Sequence, residues 1–72
     1  MHDFTNDELF VLDTLLMAYE GEADWAATTY STTNLVAEGL VEKDPSDVFC
    51  RLTLLGLQVA KEARKHTKTE LH

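Results

Sequence analysis

A chain of 72 residues with one cysteine, one proline and three glycines has room for a single thin core, since a domain of about 60 residues buries only about 60% of the surface its unfolded form exposes. The lone Cys50 excludes an intramolecular disulfide and leaves no thiol pair for a zinc site, and no apolar run approaches the ~20 residues of a membrane-spanning helix. The formal charge is -7, a balance that favours basic partners over nucleic acid.

That charge is polarised. Residues 1–24 carry Asp3, Asp7, Glu8, Asp13, Glu20, Glu22 and Asp24 with no Lys or Arg, whereas from residue 46 onward Arg51, Lys61, Arg64, Lys65 and Lys68 outweigh Asp47, Glu62 and Glu70. Met1-His2-Asp3 lacks the positive stretch that opens a signal peptide, so the expectation is a soluble cytoplasmic protein. Residues 1–66 are expected to form one domain, with 67–72 as a flexible tail.

In chain order, Thr5 and Glu8 have capping-box spacing, and Phe4 and Leu9 stand where a hydrophobic staple closes, so a helix is predicted from Asn6. Leu9, Leu12, Leu16 and Tyr19 follow helical spacing, Val11 and Leu15 broaden the stripe, and Phe10 and Met17 on the other flank predict cover on more than one side. Gly21 is the expected stop. Asp24 is positioned to cap a short second helix through Trp25, Ala26 and Ala27, which the Thr28–Thr33 run of hydroxyl residues then breaks. Ser31 or Thr32 caps a third helix through Asn34–Glu38, closed by Gly39. Leu40–Lys43 and Val48–Thr53 read as strands joined by the turn Asp44-Pro45-Ser46-Asp47. From Leu54 the spacing is helical again, with Leu54, Leu57 and Ala60 on one stripe and Leu55, Val59 and Ala63 beside it, to about His66.

The predicted order is α-α-α-β-β-α, a mainly α fold with a small β-hairpin. Glu38-Gly39-Leu40-Val41-Glu42-Lys43 followed by Leu52-Thr53-Leu54-Leu55-Gly56 resembles the corresponding stretches of MarR-like and PadR-like regulators. The resemblance implies a winged helix, and in that family the third helix enters the major groove of duplex DNA, the wing lies on the backbone and the protein is usually a dimer. On that reading Thr32, Thr33 and Asn34 face bases, while Lys43, Arg51, Arg64 and Lys65 hold phosphates. Two departures stand against it: the helix-turn-helix is shortened, and Ser31–Glu38 contains no Lys or Arg to neutralise phosphate.

The leading expectation is therefore a non-enzymatic acidic module that binds a protein partner with a basic surface, a nucleic-acid-associated protein whose nucleic-acid site it occupies. Asp13, Glu20, Glu22, Asp24 and Trp25, around the end of the first helix, are the candidate contact residues, Trp25 as an aromatic anchor. A dimeric DNA-binding regulator is the alternative. Lys61, Arg64, Lys65 and Lys68 share a face of the last helix, read either as dipole-paired solvated cations or as phosphate contacts. Leu55, Val59 and Ala63 either complete the core or pair the last helix with a second copy. No catalytic group is assigned, because His2, His66 and His72 lie at chain ends, far from Cys50 in sequence. Dispersed His and Asp residues give no metal or cofactor site.

Overall fold

The structure, a computed structural model, describes residues 4–70, with the side chains of 66–70 excepted. Five elements follow one another: α1 (Asn6–Glu20), α2 (Thr33–Ala37), β1 (Val41–Lys43), β2 (Cys50–Leu52) and α3 (Leu54–Glu70). The fold is α+β, with three helices around one antiparallel hairpin in which Val41 faces Leu52 and Lys43 faces Cys50.

The start of α1 is set locally. The Glu8 amide donates to Thr5 Oγ1 at 3.1 Å and the Thr5 amide to Glu8 Oε1 at 2.9 Å, so the predicted capping box satisfies two otherwise unpaired donors. Val11, Leu12, Leu15 and Leu16 are the buried face of the helix. Leu35, Leu40, Val41, Cys50, Leu52 and Ala60 complete the core, with Phe4, Ala26, Leu57 and Val59 packed against its edge. Tyr19 lies outside this face at 55% exposure, and Phe10 and Met17 are exposed as well. On the second flank of α1 the Tyr30 ring meets Phe10 edge-on at 5.4 Å.

The helix expected at Trp25–Ala27 does not form. Ala26 instead makes an isolated antiparallel bridge with Cys50, its amide donating to the Cys50 carbonyl at 2.9 Å and its carbonyl accepting from the Cys50 amide at 2.8 Å. A three-residue helix closes too few hydrogen bonds to offset its nucleation, whereas the bridge pairs both backbone groups at once. The observed helix order before the hairpin is thus α-α.

α2 ends in the position Gly39 was expected to hold. Leu40 donates to the Leu35 carbonyl and Gly39 to the Val36 carbonyl, a Schellman ending whose left-handed residue is Gly39 at φ 77°. The chain then meets the start of α3. Thr53 Oγ1 donates to the Gly39 carbonyl at 2.6 Å and accepts from the Gly56 amide at 3.0 Å, while the Thr53 amide donates to the Leu40 carbonyl. A Cβ on Gly56 would stand 1.9 Å from the Leu40 oxygen, so only glycine allows this approach. The two stretches that carry the sequence resemblance are one packed seam.

The hairpin loop is longer than expected, because Val48 and Phe49 are exposed and β2 begins at Cys50. Asp44 organises it, accepting from Ser46 Oγ at 2.8 Å and from the Phe49 amide at 3.2 Å. Burial works to raise the Asp44 pKa, but the bonds from Ser46 and from the Phe49, Val48 and Asp47 amides prevail and hold it below the ordinary value. α3 continues past His66 to Glu70, so helix occupies part of the segment read as a tail, and residues 71–72 lie outside the described ones. At its start Leu54 is 83% and Leu55 51% exposed. The stripe that packs begins at Leu57 rather than Leu54, and Leu55 does not complete the core.

Candidate interaction surface

The acidic residues of α1 divide into two sets. Asp13 and Glu20 are seven residues apart, two turns along one face of the helix, and Arg64 of α3 spans them. Its Nε and Nη2 donate to Asp13 Oδ1 at 3.1 and 3.0 Å, and Nη1 donates to Glu20 Oε1 and Oε2 at 2.9 and 3.0 Å. The hydrogen bonds it donates, first to Glu20 and then to Asp13, raise the guanidinium pKa above its ordinary value. Asp13 and Glu20 therefore fasten α3 to α1 and are not free carboxylates, and Arg64 is not available to phosphate.

Glu22 and Asp24 form the second set. Both are exposed and neither enters an ion pair among the described residues. Their place is fixed by the end of α1, where the Ala23 amide donates to the Ala18 carbonyl at 2.9 Å and the Glu22 amide to the Tyr19 carbonyl at 3.0 Å. This is a second Schellman ending, and its left-handed position holds Glu22 at φ 66° instead of glycine. Gly21, one residue earlier, has an ordinary φ of -84°. A non-glycine residue in this conformation costs about 1 kcal/mol, and residues held at such a cost cluster at functional positions.

Trp25 stands next to this pair of carboxylates. The residue is 37% exposed, and the Arg51 guanidinium lies over its ring at 4.4 Å from the centroid. Arg51 Nε also donates to Glu42 Oε1 across the hairpin. Between the end of α1, the 23–26 segment and the start of α3 runs a groove of about 260 Å³ whose walls include Tyr19, Ala23, Asp24, Glu42, Leu54 and Leu57. Its volume lies just below the roughly 300–1,000 Å³ of clefts that enclose small molecules. Cys50 lies on its floor, and burial raises its thiol pKa, which keeps it protonated.

Of the residues assigned to DNA reading, Thr32, Thr33 and Lys43 line one shallow concavity beside the hairpin loop. Thr32 is buried at 4% exposure, and its Oγ1 has no hydrogen-bond partner, so it is closed to a base. Thr33 is exposed and bonded to Ser31, and the Asn34 amide donates to Glu8 Oε2 at 3.4 Å. Of the five Lys and Arg side chains described, four face carboxylates: Lys43 with Asp47 at 3.3 Å, Arg51 with Glu42, Arg64 with Asp13 and Glu20, and Lys65 with Glu62 at 3.9 Å. Lys61 is exposed. Of the C-terminal cations that share a stripe of α3, Arg64 turns onto α1, and the Lys68 side chain lies outside those described.

Tyr19, Glu42 and Leu54 were not singled out from sequence. The signal for Glu42 was its place opposite Arg51 in the hairpin, but Tyr19 fell on the helical spacing of the core and gave no sign of exposure. Among the described residues no group of three or more His, Cys, Asp or Glu side chains is placed to hold a metal ion, and no helix is long and apolar enough to cross a membrane. Comparison with known proteins gives no match to any family model, curated protein or solved structure.

Proposed function

We propose that this chain is a non-enzymatic acidic module, a winged helix reduced by one helix, that binds a basic protein partner through Glu22, Asp24 and Trp25. The observation that carries the reading is the internal use of charge. Four of the five described cations stand within 4.0 Å of a carboxylate of the same chain, while Glu22 and Asp24 are left in solvent beside an aromatic anchor and a strained backbone position. A surface of that kind steers a cationic partner and repels phosphate.

The winged-helix assignment rests on the hairpin, on the Thr53–Gly39 seam and on Ala26, which pairs with β2 on the edge opposite β1. The wing itself does not suit a DNA backbone, because its loop exposes Val48 and Phe49 and its Lys43 is tied to Asp47. A basic partner whose own nucleic-acid site is the contact fits this surface, since carboxylates then stand where phosphates would.

The test is charge reversal. The variant Glu22→Lys with Asp24→Lys should weaken binding of an arginine-rich peptide by at least tenfold at low salt, whereas Glu62→Lys on α3 should change it little. Equal effects from the two would reduce the surface to general electrostatics and remove the assignment.

A further inference from the structure

Resting on that reading, we infer that the groove beside Trp25 takes an apolar side chain flanked by arginine, and that Arg51 is the built-in competitor for the arginine's seat. The apolar part of the groove is exposed on this surface: Tyr19 at 55% and Leu54 at 83% flank Ala23 and Leu57. Large apolar groups left in solvent around a concavity mark a contact site. The rim supplies the complementary charge, with Asp24 and Glu42 in the groove wall and Glu22 exposed two residues before Asp24.

The chemistry of the rim is specific to a guanidinium. Arg51 already places its central guanidinium carbon 4.4 Å from the Trp25 ring centroid, and it donates to Glu42 at the same time. An aromatic face with an adjacent carboxylate holds the planar, weakly hydrated guanidinium better than an ammonium. Arg51 is 44% exposed along its side chain and leaves by rotation alone, so a partner's arginine replaces it without any change in the backbone. The internal arginine thereby lowers the affinity of any arginine-bearing chain, and the apolar side chain in the groove offsets that loss.

The probes are two capped peptides, acetyl-Arg-Arg-Leu-Arg-Arg-amide and the same peptide with serine in place of leucine, titrated into the full chain at low salt with Trp25 fluorescence as the readout. The leucine peptide is expected to bind the unaltered protein about tenfold more tightly, the effect of burying one leucine. Arg51→Gln is expected to raise its affinity several-fold, while Lys61→Gln, which removes the same charge from α3, leaves it unchanged. Equal binding of the two peptides overturns the groove assignment, and an Arg51→Gln effect no larger than that of Lys61→Gln overturns the competitor. In either case salt-sensitive binding that persists leaves the acidic surface standing. Absence of binding by both peptides removes the inference and the surface together. The peptide comparison uses the unaltered chain, so it decides the groove even if Arg51→Gln does not fold.

Discussion

Glu22 and Gly39 occupy the same position of the same helix-ending motif, at φ 66° and 77°, and in both the next residue donates back to a carbonyl five positions earlier, at 2.9 Å. Glycine takes that conformation without steric penalty and glutamate does not. Glu22→Gly should therefore stabilise the fold by about 1 kcal/mol in chemical denaturation while weakening the arginine-rich peptide. A stabilised variant that binds as well as the unaltered chain would show that the carboxylate is not part of the contact.

Gly56 makes the opposite case. An alanine there would gain about 1 kcal/mol of helix propensity, yet its Cβ would meet the Leu40 oxygen at 1.9 Å and the Leu40 carbonyl carbon at 2.9 Å. Backbone cannot retreat as a side chain does, so Gly56→Ala should destabilise by about 2 kcal/mol or more. A neutral result would mean that the seam between Gly39–Leu40 and Thr53–Gly56 does not hold α3 in place.

Thr32 bears directly on the DNA reading. Its hydroxyl is buried without a partner, and an unpaired buried hydroxyl costs about 1–3 kcal/mol. Thr32→Val, equal in shape, should raise stability by about 1 kcal/mol and leave peptide binding unchanged. Lost stability would show that the hydroxyl makes a hydrogen bond after all.

Acid should loosen the start of α1. The Thr5 amide chiefly holds the Glu8 carboxyl below its ordinary pKa, with Asn34 and the Thr5 hydroxyl adding to it against an opposing effect of burial. A depressed carboxylate contributes stability that is fully present above its unfolded pKa and is lost as pH falls through the folded one. The melting temperature of the unaltered chain should thus exceed that of Glu8→Gln at neutral pH, and the gap should close as pH drops below the ordinary glutamate range. A gap that persists in acid would mean that the effect is not carried by the charge on Glu8.

What could be read from the sequence was local. The capping box spans four residues and the Gly39 ending six, and each was legible because its partners are close along the chain. The failures are non-local. Ala26 pairs with Cys50, 24 residues away, and a segment that finds such a partner need not be the helix that its own residues permit. Arg64 reaches Asp13 and Glu20 across 51 and 44 positions, so three residues counted as surface charge hold two helices together. Gly21 pointed to the end of α1 but not to the left-handed site, which lies one residue on. Of the candidate contact residues, Glu22, Asp24 and Trp25 remain together at one end of α1, where their nearness in sequence had placed them.

The most direct measurement sets duplex DNA against the arginine-rich peptide in parallel titrations at low salt and again at physiological salt. The acidic-surface account requires peptide binding that weakens with salt and no binding to the duplex at either concentration. Tight duplex binding with a steep salt dependence would contradict it and would require cations that the fold now holds against carboxylates to be released to phosphate.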